Sequence, residues 1–314
     1  MFRFLFRRLA SGLVLVVVLT TLTFFLLYLS GGNIARRILG QQATPDTVVQ
    51  KTHELGLDRP VLSQFTDWLS KALHGDLGVS WFSGQQVTEA ISSRLTVTLS
   101  LVIGATLVTA VLAVILGVTA ATRGGWADRL VQFLSVLGFA IPGFLLALGL
   151  VTLFAIKVPV FKPTGYVQFS VSPSQWLASI ALPVIALSIG SIAGVSAQIR
   201  GSVLDGLRQD YVRTLRSRGL SERRVIYKHV LRNAAGPGLS VLAVQFVGLL
   251  GGAIFVEQIF AIPGLGQVIV GATSAGDIPL VMGLVLATAV LVVVLNLAVD
   301  LLQGWLNPKV RIGS

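Results

Sequence analysis

Six stretches of this sequence, 9–29, 95–121, 130–156, 176–199, 234–256 and 278–299, contain no Asp, Glu, Lys or Arg. A helix rises about 1.5 Å per residue and a bilayer core is about 30 Å thick, so roughly 20 apolar residues cross it. Backbone amides cannot be left unpaired in hydrocarbon, so each crossing must be helical. A charge at mid-membrane costs roughly 3 kcal/mol, which explains why charged residues stop at the borders of these runs. The reading is an all-α integral membrane protein with six transmembrane helices. Composition agrees, with 54% hydrophobic and 12% charged residues and a mean hydropathy of +0.83. A soluble domain carries about 25% charged residues.

The net charge of +11 would suit a nucleic-acid binder if it were gathered on one soluble face. Here the basic residues lie between apolar runs, so no nucleic-acid partner is expected and the charge reads as topogenic. With both termini in the cytoplasm, the inside collects Arg3, Arg7, Arg8, Arg123, Arg129, nine basic residues within 200–232, Lys309 and Arg311. That is two-thirds of the 24 basic residues. Tyr28 and Trp176 then fall at outer borders and Trp305 at an inner one, where amphipathic rings belong. A signal-peptide core spans about 7–15 residues. The first apolar run is longer and reads as a retained helix, although Ser30-Gly31-Gly32 offers small residues for cleavage. With no cysteine in the chain, disulfides, thiolate metal sites and thiol nucleophiles are excluded.

The organisation follows as 1–30 (N-terminus and first span), 31–94 (a small helical extracytoplasmic segment) and 95–314 (a five-span core). In the outer segment, Thr44-Pro45-Asp46 reads as an N-cap with proline at the first helical position, and Gly56 closes that helix. A second helix from Pro60 places Val61, Phe65, Trp68, Leu69 and Ala72 on one face before Gly75 stops it. That face is either a packed cap over the spans or a docking surface. Pro142 and Pro183 should kink the third and fourth spans. Gly190-x-x-x-Gly194 and Gly248-x-x-x-Gly252 allow close helix approach.

The cytoplasmic loop 200–232 is longer than a membrane connection requires. Up to Arg218 its pattern is helical, with Val203, Leu207, Tyr211 or Val212, and Leu215 forming an apolar ridge. Gly219 offers a left-handed C′ position, and Ser221 an incomplete cap for a second helix. An exposed apolar ridge needs a cover, and a stiff hairpin between two spans is a lever. A basic anchor binding anionic lipid is the plainer reading of the same residues.

The run 209–225, QDYVRTLRSRGLSERRV, resembles the cytoplasmic coupling loop of bacterial binding-protein-dependent ABC importers. More narrowly it is similar to the first permease subunit of the dipeptide/oligopeptide/nickel group. Matching stretches run through the chain: Phe2–Arg8, Leu55–Pro60, Gly75–Gly78, His229–Ala234 and Val256–Gly266. The general importer pattern has Glu-Ala-Ala, three residues, then Gly; here Arg213-Thr214-Leu215 precedes Gly219 at that spacing, as in the peptide-permease variant.

The resemblance implies a type I ABC importer permease fold in the bacterial inner membrane. It also implies a second homologous permease, two cytoplasmic ATPases that bind ATP and Mg, an external peptide-binding protein and surrounding lipid. Coupling to the ATPase would fall to Asp210, Tyr211, Arg213, Leu215, Arg216, Gly219, Leu220 and Glu222, with Tyr211 and Leu215 filling the ATPase cleft. Polar residues within spans, Ser188, Ser191, Ser196, Gln198 and Gln245, are pathway candidates, though helix–helix hydrogen bonds explain them equally. Glu257 and Asp277 could flank an outer mouth or sit at a simple interface.

No Walker A sequence occurs, so the chain itself lacks a phosphate cradle and any enzymatic role in ATP hydrolysis. His53, His74 and His229 are scattered, and no metal cluster or catalytic constellation is legible. The functions left open are peptide import, import of nickel or another small solute by the same machinery, a structural or regulatory membrane protein, and a stand-alone carrier.

Overall fold

The structure, a computed structural model, describes residues 2–30, 34–40 and 42–306. Gly31, Gly32, Lys309 and Arg311, and the side chains of Arg3, Ser30 and Trp305, lie outside the described residues. The regular secondary structure of the described residues is helical apart from one isolated bridge between Val79 and Gln86. In order the helices are α1 (Phe2–Ser30), α2 (Ile34–Leu39), α3 (Pro45–Glu54), α4 (Val61–Leu73), α5 (Val87–Arg123), α6 (Gly125–Ala140) and α7 (Gly143–Val151). A π-helical turn, Thr152–Lys157, extends α7. Then come α8 (Pro173–Leu207), α9 (Asp210–Ser217), the single turn α10 (Glu222–Arg224), a second π-helical turn at Val225–Val230, α11 (Leu231–Ile259), α12 (Leu265–Ala275) and α13 (Ile278–Leu306).

Five of these, α1, α5, α8, α11 and α13, are long and apolar enough to cross a bilayer. The sixth expected span falls on a bent pair of helices, α6 and α7. A kink was predicted at Pro142, but α6 and α7 meet there at 97°. Proline lacks the amide that would continue the ladder and drives the preceding residue out of the helical region. Ile141 accordingly adopts φ −94°, ψ 119°. Pro183, by contrast, is absorbed within continuous α8.

Internal packing divides the chain into two compact units: Thr98–Pro263 with the stretch from Leu295, and Phe2–Val97 with Gly264–Val294. In the latter, Phe24 and Leu27 of α1 share a core with Val87, Ile91, Leu265, Ala272, Met282 and Leu284. Both predicted helices of the 31–94 segment, α3 and α4, form. Thr44 accepts from the Thr47 amide at 3.4 Å, and Gly56 and Gly75 take φ of +67° and +84°. The apolar face of α4 packs on that core, with the Phe65 ring 5.2 Å from Phe24 and 6.5 Å from Trp68. Val61, Phe65 and Trp68 of this face are half-buried against that core. The short α2 and the helix α12 were not foreseen.

In the other unit α8 is the centre. A Cβ added at Gly117 of α5 would come within 2.8 Å of the Ser196 carbonyl. One at Gly138 of α6 would come within 3.0 Å of the Ala193 Cβ. Small residues therefore let α5 and α6 approach α8 closely. Arg200 of α8 forms a two-bond ion pair with Asp128 of α6, one bond at 2.6 Å, at the ends of these helices.

Candidate functional site

The loop 200–232 is a hairpin packed into one core with the helices that flank it. The helix predicted to run to Arg218 is interrupted: α8 ends at Leu207, Gln209 turns extended at φ −72°, ψ 148°, and α9 begins at Asp210. α9 closes in a Schellman motif. The Gly219 amide donates to the Arg216 carbonyl at 2.9 Å and the Leu220 amide to the Leu215 carbonyl at 3.3 Å. Gly219 takes φ +78°, a conformation that disfavours any side chain. Ser221 occupies the next N-cap position without a side-chain capping bond, consistent with its incomplete capping box.

The apolar ridge does not lie open, which corrects the sequence expectation. Val203, Val212, Val225 and Val230 are fully buried in one cluster with Ala113, Val118, Ile199 and Ala234. Tyr211, Leu215 and Leu220 are half-buried against it. The Tyr211 hydroxyl accepts from Asn233 Nδ2 at 3.2 Å, tying α9 to α11. A Cβ at Gly206 would meet Val230 Cγ1 at 2.8 Å, so the end of α8 sits tightly on the second π turn. The hairpin therefore shares a core with α5, α8 and α11.

Of the predicted coupling residues, Asp210, Arg213, Arg216, Gly219 and Glu222 are exposed on the outer face. Arg216 and Glu222 form a bidentate pair across the glycine elbow at 2.6 and 3.2 Å. The Arg216 guanidinium holds the Glu222 carboxyl below its ordinary range. Arg218, Arg223, Arg224 and Tyr227, 61% exposed, extend this basic face. Tyr227 was missed; a large aromatic in a charged loop could have signalled it.

The pathway candidates separate. Ser188 returns its hydroxyl to the Val184 carbonyl at 2.6 Å, Ser196 bonds the Ala193 carbonyl at 3.1 Å, and Gln198 donates to Ser202 at 3.3 Å. These three are engaged within the protein, Ser188 and Ser196 also across helices, to the Ala105 carbonyl at 3.3 Å and to Ser135 Oγ at 3.5 Å. Ser191 and Gln245 instead line a cavity of about 410 Å³. Its walls are the α6–α7 break at Phe139–Phe144, with Gly190 of α8 and Gly248, Gly252 and Phe255 of α11. Both Gly-x-x-x-Gly motifs border this region, and a Cβ at Gly194 would come 2.7 Å from Gln245 Nε2.

Glu257 and Asp277, expected to flank an outer mouth or to sit at a simple interface, are buried within the chain. Glu257 is 0% exposed and accepts from the Thr98 hydroxyl at 2.6 Å. Asp277 accepts from Ser80 Oγ at 2.5 Å and from the Trp81 and Leu280 amides at 3.2 and 3.4 Å, capping α13. Polar partners make such burial tolerable. Among the described residues no cluster of His, Asp and Glu could hold a metal ion.

Comparison with known proteins places this geometry. Residues 113–312 match the family described as binding-protein-dependent transport system inner membrane component, and residues 1–102 match the N-terminal family of the same systems. A peptide transport system permease protein of Brucella abortus (strain 2308) is 40% identical over 306 residues, covering 97% of this chain and 98% of the relative. The glutathione transport system permease protein GsiC of Escherichia coli O6:H1 is 33% identical over 312 residues, covering 99% of each. A structure of the MetNI methionine ABC transporter in inward-facing conformations aligns with a TM-score of 0.52 at 18% identity, over 70% of this chain and 94% of that one.

Proposed function

The chain belongs to the family of inner membrane components of binding-protein-dependent transport systems, and from that premise we propose that it is the permease subunit of an ATP-driven peptide importer. The observation that carries the mechanism is the hairpin: a buried inner core continuous with α5, α8 and α11, and an exposed basic outer face around a glycine elbow. An element built this way resists internal deformation, so a partner gripping its outer face moves the attached helices as a unit. Relatives named for peptide and glutathione transport support the substrate class.

In this reading both termini and the 200–232 hairpin are cytoplasmic, supported by the clustering of basic residues there. Segment 31–94 is extracytoplasmic, and 95–314 forms the core. The partners are a second homologous permease, two ATPases carrying ATP and Mg, and an external peptide-binding protein, in a bacterial inner membrane. Asp210, Arg213, Arg216 and Glu222 set the register of the ATPase contact. Tyr211, Leu215 and Leu220 brace the elbow from inside, a role their half-burial favours over filling a partner's cleft.

The absence of native cysteine makes the test clean. Arg213→Cys, in inverted vesicles with the partner ATPases, should label with a membrane-impermeant thiol reagent and crosslink to an ATPase, in a yield that changes with ATP. Val212→Cys, buried one residue away, should do neither. Labelling of Arg213→Cys only in right-side-out vesicles, or no nucleotide-sensitive crosslink, would overturn the assignment.

A further inference from the structure

The cavity at the α6–α7 break has a chemistry of its own. Its volume of about 410 Å³ lies in the range of small-molecule sites, about 300–1,000 Å³. None of its lining residues is charged, and three phenylalanines, Phe139, Phe144 and Phe255, supply much of the wall. Only Ser191 and Gln245 bring polar side chains.

Neither of these has a hydrogen-bond partner among the described residues. A serine in a helix ordinarily returns its hydroxyl to a carbonyl one turn back. Ser188 and Ser196 on the same helix do so, but Ser191, only 5% exposed, does not. Gln245 is held in place: a Cβ at Gly194 would stand 2.7 Å from its Nε2 and 3.0 Å from the Phe139 ring, while one at Gly248 would stand 3.7 Å from its Oε1. Glycine at 194 thus makes the slot in which this carboxamide lies. A buried hydroxyl-bearing residue and a half-buried carboxamide, both lining one otherwise apolar cavity and neither engaged by the chain, mark a place where something polar visits.

Resting on the import reading above, we propose that this cavity is a transit subsite for the peptide backbone of the solute. A carboxamide offers one carbonyl acceptor and two N–H donors, and a hydroxyl offers both roles. A peptide unit presents one N–H and one C=O, so Gln245 and Ser191 complement it without using any side chain of the cargo. The aromatic and glycine walls take up neutral side chains of varied shape. A bare divalent cation finds no carboxylate or imidazole on these walls, which favours the peptide over a metal-ion cargo.

The test uses the full complex in proteoliposomes with a neutral tripeptide and its depsipeptide analogue, in which an ester replaces the central amide. Comparing the amide-to-ester uptake ratio between wild type and variants cancels any preference of the binding protein. Gln245→Leu should lower tripeptide uptake about tenfold, the worth of one buried amide hydrogen bond, and bring the ratio towards the binding protein's own. Ser191→Ala should shift it in the same direction by less. As a second readout, Ser191→Cys should react with a small maleimide more slowly when tripeptide and binding protein are supplied. An unchanged ratio in Gln245→Leu, with the complex assembled in wild-type proportion, overturns the subsite. So does labelling of Ser191→Cys that peptide leaves unaltered, the result expected if lipid or the second permease fills the cavity. A wild-type complex that imports no peptide refutes the import reading itself, and the subsite falls with it.

Discussion

Replacement of Gly219 isolates backbone conformation from contact. The residue sits at φ +78°, and a Cβ built on it meets no atom within 4 Å, so a substitution introduces strain without a clash. For an L residue the left-handed region costs roughly 1–2 kcal/mol, least for Asn and most for β-branched residues. That corresponds to about a 5- to 30-fold loss in the population of this elbow relative to a relaxed one. Relaxing the elbow breaks the bonds from the Gly219 and Leu220 amides and parts Arg216 from Glu222. The valine cluster beneath is built from α5, α8 and α11 as well as the hairpin, so Gly219→Val should still insert and purify. In proteoliposomes with the partner ATPases and binding protein, peptide imported per ATP hydrolysed should fall in the order wild type, Asn, Ala, Val, with Val down about tenfold. Equal coupling in wild type and Val would refute the reasoning. An Asn variant as impaired as Val would also refute it, because Asn tolerates this φ and the loss would then belong to a contact.

Two further substitutions probe the packing of the helices around α8. Gly117→Val places a branched side chain where a Cβ alone comes within 2.8 Å of the Ser196 carbonyl; separating α5 from α8 should cost about 1–3 kcal/mol or more, read as a lower melting temperature in detergent. Asp128→Asn leaves the guanidinium of Arg200 without its carboxylate. With both groups partly exposed, the cost should be about 1–2 kcal/mol, and adding Arg200→Met to that variant should lower the melting temperature little further because the two act as one unit.

Much of this structure is readable from residue patterns, and the failures have identifiable physics. Charge exclusion reveals the spans because hydrocarbon penalises every exception. The ends of α3 and α4 are legible because Thr44-Pro45, Gly56 and Gly75 act on residues next to them in the chain. Proline marks position 142 but not the size of the bend, since Pro183 meets the same rule inside a helix that stays continuous. The hairpin core was misread for a different reason. Val225 and Val230, which the residue pattern assigned to no face, are five residues apart and would stand about 140° apart around an α-helix. A π turn closes i to i+5 and sets them on one side, both buried. Glu257 and Asp277 were placed by their distance from the apolar runs, a rule blind to Thr98 and Ser80, which lie far away in the chain and supply the hydrogen bonds that allow burial.

The hairpin and the cavity are joined by the same two helices, and under the proposed coupling this would determine what a stroke can do. α8 carries Ser191 in the cavity wall and ends in the hairpin at Leu207, an unbroken lever of about 24 Å at 1.5 Å per residue. α11 leaves the hairpin at Leu231 and reaches Gln245 about 21 Å later, but Pro237 lies between them. Proline removes a backbone bond there and makes that stretch the softer of the two. A force applied at the elbow would therefore pass along α8 rigidly and along α11 with bending. The difference appears as sliding where the two helices meet. Gly194, Gly248 and Gly252 are the residues at that place, and without side chains they offer the least resistance to it. The unpartnered carboxamide of Gln245 sits in the Gly194 slot, so sliding of this kind would expose or withdraw the one amide in an otherwise apolar wall.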